Sequence, residues 1–208
     1  MSSTNGSYRL RYMRLEDIPQ VVEIDRLSFP MPWAARSYVF EIKDNNAGHM
    51  IVVEALPQPP PTGGLKGVLQ RLTAPAAPAA ITGYGGFWLI EGEAHVSTIA
   101  VHPDYRGRGL GEVLLAGMLS RSMALKAEYS VLEVRVSNES ALNLYGKYDY
   151  QIVGQRKNYY RDNNEDAYLM HLAPLDEAYK ARFAARLNRL HARVAYSDLL
   201  RQPPAQPI

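Results

Sequence analysis

Apolar residues along this chain recur at two spacings, every second residue or every third and fourth, and the switches between them mark its elements. The alternation of Arg9–Met13 predicts a short first strand. Ile18, Val21, Val22, Ile24 and Leu27 then form the stripe of a helix. It opens at Leu15-Glu16-Asp17 and stops near Ser28, because Pro30 and Pro32 follow. A second helix is predicted over Ala34–Lys43, ended by Asp44-Asn45-Asn46-Ala47-Gly48. His49–Ala55 and Ile81–Ile90 read as strands, the latter with a glycine pair that suits a bulge or a closely approaching ligand. Between them, residues 56–80 are rich in proline, alanine and glycine. They read as an insertion forming a long surface loop, with one helical turn at Leu65–Leu72; a functional lid is the alternative.

Glu91-Gly92-Glu93 turns the chain into a strand over Ala94–Val101. A helix over Gly109–Ala127 follows, with Leu110, Val113, Leu114, Gly117, Met118 and Leu125 on its buried side. Ser130–Val136 alternates cleanly, Leu132, Val134 and Val136 facing one way and Val131, Glu133 and Arg135 the other. A short helix (Ala141–Lys147), a strand (Tyr150–Tyr159), a turn (Arg161–Glu165) and a last strand (Ala167–Leu172) complete this part. From Pro174 the composition changes. Asp176–Tyr196 reads as one helix with Tyr179, Phe183, Leu187, Leu190 and Val194 on one stripe and Lys180, Arg182, Arg186, Arg189 and Arg193 elsewhere. It either docks on the domain with its basic face in water, or offers that face to a second subunit or to an acidic or RNA-containing partner. The chain thus divides into a domain over 1–173 and a helical extension with a disordered tail over 174–208. Removal of Asp176–Ile208 is expected to spare the chemistry.

Length and charge narrow the picture. The 208 residues suffice for one domain with a sizeable core. A formal charge of +2 makes no bulk case for nucleic acid, so direct binding to it is not expected. The absence of cysteine excludes disulfides, thiolate metal sites and a cysteine nucleophile. No run is apolar and long enough to span a bilayer, and the polar start lacks a signal core. A cytoplasmic protein without a membrane partner is expected. His49, His95, His102, His171 and His191 are scattered and read as surface or packing residues, and no metal site is predicted.

The candidate chemistry centres on Val96–Leu115. An apolar strand with Ile99 and Val101 runs through His102-Pro103-Asp104 into Arg106-Gly107-Arg108-Gly109-Leu110-Gly111 and then a helix. Glycines let backbone N–H groups crowd toward a ligand, and first-turn N–H groups have no helical partner, so this stretch reads as an anion cradle. Its evenly spaced glycines match neither a Walker loop nor a Rossmann fingerprint.

Two blocks carry a family resemblance: Ile99-Ala100-Val101-His102-Pro103 with Arg106–Gly111, and Leu132–Asn138 followed by Ala141-Leu142-Asn143-Leu144-Tyr145. The chain resembles the GNAT acetyltransferases, which use acetyl-coenzyme A, over roughly Arg9–Leu172. The second block, Arg156–Tyr160, Glu165-Asp166-Ala167 and the Phe29-Pro30, Pro32-Trp33 segment are similar to the RimI branch, whose members acetylate the N-terminal alanine of a ribosomal protein. The resemblance implies an α+β fold: a mixed central sheet of about seven strands flanked by helices, with an extra C-terminal helix. One departure stands out, Asp149-Tyr150 where the family has Gly-Phe. Asp tolerates a left-handed backbone at modest cost, which permits the turn.

The resemblance also implies roles. Acetyl-CoA is expected as acetyl donor, its pyrophosphate on the amides of Arg106, Gly107, Arg108, Gly109, Leu110 and Gly111. The two arginine side chains either assist or remain surface charge. Backbone groups at Ile99, Ala100 and Val101 are expected beside the acetyl and pantetheine groups, where this strand splays from Ser130–Val136. Glu133, on a strand read as central, is expected to have a raised pKa and act as base. The alternative is a carboxylate paired with Arg135 or another cation. Tyr145 is the expected acid toward the departing thiolate, or else a packed aromatic. Asn138 either contacts the cofactor or caps a helix. Trp33, Tyr159 and Tyr160 are expected to line the substrate entrance, though Trp33 and Tyr38 equally suit a core. The expected activity is direct acetyl transfer to a protein N-terminus, that of a ribosomal protein in the RimI reading, by a monomer or homodimer. Alternatives are a lysine or small-amine acetyltransferase and a non-catalytic acetyl-CoA sensor.

Overall fold

A computed structural model describes residues 8–56 and 79–200. Most of the Pro/Ala-rich insertion, its Leu65–Leu72 turn and the tail from Arg201 lie outside the described residues. The elements run β1 (Tyr8–Tyr12), a 3-10 turn (Leu15–Asp17), α1 (Ile18–Ser28), α2 (Ala35–Lys43), β2 (Gly48–Ala55), β3 (Ala80–Ile90) and β4 (Glu93–Val101). There follow a 3-10 turn (Pro103–Tyr105), α3 (Leu110–Ala124), β5 (Tyr129–Arg135), α4 (Glu139–Lys147), β6 (Gln151–Tyr160), β7 (Glu165–Leu172), α5 (Glu177–Arg193) and β8 (Tyr196–Asp198).

The strands form one eight-stranded sheet in the order β6-β7-β5-β4-β3-β2-β1-β8. β4 and β5 pair in parallel, as do β1 and β8, and the remaining pairs are antiparallel. Each face of the sheet carries a core. Leu10, Ile51, Phe87, Val96, Leu132 and Val134 meet α3 and α5 on one side. Val52, Ile81, Tyr84 and Ala100 meet α1 and α2 on the other. The glycine pair of β3 does make a bulge, between Gly86 and Phe87. A Cβ at Gly86 would stand 2.3 Å from Met50 Sδ, so the glycine makes room for the Met50 side chain.

The C-terminal segment is where the sequence reading needs correction. Ala167–Leu172 is not the last strand: β8 extends the sheet beyond β1. Three residues are too few to show a period, and β8 exists because β1 leaves an edge to pair, with Tyr8 N–H donating to Ala195 O and Leu199 N–H to Leu10 O at 2.9 Å. The helix itself follows the docked alternative. Tyr179, Phe183, Leu190, Val194 and Leu200 belong to the same core as α3. That cover explains why α3 is buried nearly all round, Leu115, Ala116 and Leu119 included, rather than along one stripe.

Candidate active site

β4 and β5 pair only at one end. The ladder joins Glu93, Ala94 and His95 to Tyr129, Ser130 and Val131, and stops. Ser130 pins this closed end, its hydroxyl donating to Ala94 O at 2.7 Å and lying 2.6 Å from the Tyr150 hydroxyl. Beyond it the strands part, β5 staying with β7 through Arg135 and β4 staying with β3. His102 N–H donates to Thr82 O across β3 at 2.9 Å. Strand alternation therefore turns the N–H groups of Ile99 and Val101 to the opposite edge, into the gap. Ala100 has its backbone groups on the β3 side and its side chain in the α1–α2 core, so it differs from the two residues flanking it.

The open end of β4 leads into the Arg-Gly turn. Gly107 (φ +75°) and Gly109 (φ +80°) take left-handed conformations, and Gly109 caps α3. The first helical bond runs from Val113 N–H to Gly109 O, which leaves the N–H groups of Gly107–Glu112 without a backbone acceptor among the described residues. Leu110 is buried, so it offers the cradle its backbone alone. The two arginines turn onto the loop: Arg106 Nε donates to Val101 O at 3.1 Å, and Arg108 Nη2 to Asp104 O at 2.8 Å.

Glu133 lies two residues past the last paired position of β5, where the gap begins. Its side chain is only 7% exposed. His95 Nε2 is 2.8 Å from one carboxylate oxygen, and Arg156 Nη1 is 2.9 Å from the other. The expected upward pKa shift is overturned. The hydrogen bond from His95, with the Arg156 guanidinium behind it, outweighs desolvation and holds Glu133 below the ordinary carboxylate range. The same bond raises the His95 pKa. Arg135 is not the partner. It binds Asp162 at 2.7 Å and Glu165 at 3.0 Å and lies 3.8 Å over the Tyr160 ring. His95, read from sequence as surface or packing, is thus the principal contact of the candidate base.

Tyr145, on α4, is 8% exposed, and its ring lies 5.8 Å from Tyr150. Burial raises its pKa, so the phenol is protonated at neutral pH. Asn138 caps α4, its side chain accepting from Ala141 N–H at 3.1 Å, and so fixes the helix that carries Tyr145. Tyr159 is 42% exposed, edge-on to Tyr160 at 5.2 Å and below Arg156. Trp33 packs on Tyr38 at 5.4 Å and donates its backbone N–H to the buried carboxylate of Asp25. Tyr38 itself is a core residue, its hydroxyl 3.0 Å from that of Tyr84. A cavity of about 470 Å³ opens between Trp33, Arg36, Ser37, Phe40, Glu41 and Trp88. Trp88 also stands edge-on to His95 at 5.6 Å, so one residue borders both the cavity and the candidate base pair.

The sequence reading missed His95, Arg156, Trp88 and Asp25. The β4–β5 register, with His95 opposite Val131, is the signal that places His95 on the face of Glu133, and it becomes visible only in the assembled sheet. No cluster of His, Asp or Glu suited to a metal ion occurs among the described residues. No helix among them is long and apolar enough to cross a membrane.

Comparison with known proteins agrees with this architecture. Residues 18–150 match the acetyltransferase (GNAT) family model. A putative [ribosomal protein bS18]-alanine N-acetyltransferase of Bacillus subtilis is 37% identical over 161 residues, 77% of this chain and 92% of its own length. An N-alpha-acetyltransferase of Sulfurisphaera tokodaii is 33% identical over 169 residues, 81% of this chain and 93% of its own. Among solved structures, the ribosomal-protein-S18-alanine N-acetyltransferase of Escherichia coli superposes with a TM-score of 0.63 at 22% identity, over 80% of this chain and 94% of that one. The matched family model spans the splayed strands, the Arg-Gly turn and Glu133 together, and the chain belongs to the GNAT family of acetyltransferases, enzymes that use acetyl-CoA.

Proposed function

We propose that this enzyme acetylates the N-terminal α-amine of a protein, and that the N-terminal alanine of a ribosomal protein is its acceptor. The relatives named as N-alpha-acetyltransferases and as ribosomal-protein-alanine N-acetyltransferases support this acceptor class. The observation that carries the chemistry is the position of Glu133 and its partner His95 at the point where β4 and β5 part.

The residues present fit acetyl-CoA. The Gly107–Glu112 amides without backbone acceptors suit a pyrophosphate, and the N–H groups of Ile99 and Val101 in the gap suit the pantetheine arm and the acetyl carbonyl. Bound there, acetyl-CoA supplies an activated thioester. Glu133 accepts the ammonium proton directly or through one water. Its lowered pKa keeps it ionised, and His95 and Arg156 hold it toward the gap. Tyr145 supplies a proton to the thiolate. Trp33, Trp88 and Tyr159 border the acceptor side.

Acetyl-CoA turnover by the full chain tests the reading, with a peptide beginning in alanine set against the same peptide blocked at its N-terminus and carrying a free lysine. The free N-terminus is expected to be the better acceptor. A preference for the blocked peptide identifies a lysine acetyltransferase instead.

A further inference from the structure

We propose that the C-terminal segment is a working part of the cofactor site, presetting the anion cradle through Val194 against Gly109 and Arg193 against Glu112. This rests on the reading of Gly107–Glu112 as the pyrophosphate-binding turn. The segment lies beyond residues 18–150 of the family match.

The first contact is steric. Gly109 holds its left-handed conformation at the cap of α3, and a Cβ there would stand 2.8 Å from Val194 Cγ2. Val194 therefore packs directly on the turn that gathers the amides. It is buried, and it is fixed from both sides. Its N–H closes α5 on Leu190 O at 2.8 Å, and the chain after it enters β8 on the edge of β1.

The second contact is electrostatic. Glu112 is the third residue of α3, inside the first turn, with its side chain 9% exposed. Arg193 Nη2 is 2.7 Å from one carboxylate oxygen and Lys147 Nζ is 2.6 Å from the other. Although burial pushes its pKa up, Lys147 and Arg193 hold it below the ordinary range, so Glu112 carries a full charge at neutral pH. An anion in the first turn suits the helix alone but repels a pyrophosphate bound to the same amides. With both cations the cluster carries one net positive charge; without Arg193 it carries none. The extension thus supplies the charge that makes an acidic first turn compatible with an anionic ligand.

The same helix reaches the element bearing the candidate acid. Arg182 and Arg186 bind Asp149, the left-handed residue (φ +67°) that follows α4 where the family has glycine. Tyr179 donates its hydroxyl to Tyr148 O at 3.2 Å. The departure at Asp149 is thereby explained: its carboxylate is an anchor for α5.

The test uses the full chain, with calorimetric Kd for acetyl-CoA, KM for each substrate, kcat and thermal midpoint. Arg193→Ala is expected to weaken acetyl-CoA binding about fivefold or more, with the peptide KM and kcat changed less than about twofold. Arg193→Lys is expected to restore most of the affinity, and Arg189→Ala, an exposed change on the same helix, to alter nothing. Adding Glu112→Gln to Arg193→Ala is expected to recover acetyl-CoA affinity, which a merely structural contact would not do. Val194→Ala is expected to act like Arg193→Ala. An unchanged Kd in both single variants overturns the proposal, and so does a double variant that binds no better than Arg193→Ala. Undiminished acetyl-CoA affinity in Gly109→Glu overturns the cradle reading itself.

Discussion

His95 Nε2 on β4 lies 2.8 Å from the carboxylate of Glu133 on β5, although the two residues are not opposite one another in the parallel ladder. His95 faces Val131, and the contact reaches diagonally across the mouth of the gap. It joins the strand that borders the gap to the strand that carries the candidate base. Each member moves the other's pKa toward its charged form, which makes the pair measurable by titration.

Glu133→Gln is expected to abolish acetyl transfer while keeping acetyl-CoA affinity, because the carboxylate lies outside the Arg-Gly turn. The His95 pKa is expected to fall in this variant, since the bond that raises it loses its charge while burial remains. Proton NMR of the imidazole across pH, beside single-turnover assays, reads both. A His95 titration unmoved by the substitution rules out the coupling.

Tyr145→Phe is expected to lower kcat by about 10²-fold or more, the range for loss of a positioned acid. The thermal midpoint should change little, because the phenol makes no side-chain hydrogen bond among the described residues. A variant with unaltered kcat removes Tyr145 from the mechanism.

Alanine at the two left-handed glycines of the Arg-Gly turn should separate strain from packing. Both substitutions incur about 1–2 kcal/mol of backbone strain. At Gly107 a Cβ meets nothing within 4 Å, whereas at Gly109 it meets Val194 Cγ2 at 2.8 Å. Gly109→Ala is therefore expected to weaken acetyl-CoA binding more than Gly107→Ala does. Equal losses in calorimetry would show that the Val194 contact is inconsequential.

His49 is stacked on Phe87 at 4.7 Å, and burial, with the Arg121 charge, lowers its pKa to about 4. The unfolded chain takes up this proton near pH 6.5, well before the folded protein does. Stability from a neutral His49 is thus complete above about pH 6.5 and is lost as pH falls toward the folded value near 4. His49→Phe is expected to flatten the pH dependence of the thermal midpoint over that interval. An identical profile in wild type and variant would contradict the assignment.

Much of the site was legible in the chain because its parts are local. The glycines of the cradle precede a helix, and the alternation of Ser130–Val136 sets Glu133 apart from Leu132 and Val134. The cap at Asn138 and the bulge at the β3 glycines also follow from short-range chemistry. The pKa of Glu133 is not legible in the chain for a reason of distance: its partners come from β4 and β6, at His95 and Arg156 respectively, and sequence proximity points to Arg135 instead.

Local pattern by itself determined the order of helices and strands as far as Leu172 and the glycine-rich turn before a helix, since each depends on spacing within a few neighbours, while Glu133 and Tyr145 were singled out by the family resemblance of the blocks that hold them. Tertiary structure alone decided where β4 leaves β5, which side chains pair with Glu133 and Glu112, and that a C-terminal helix with a three-residue strand extends the sheet and packs Val194 against Gly109. Those outcomes depend on strand register and on charges brought together from residues far apart, and neither is encoded in the periodicity of any one segment.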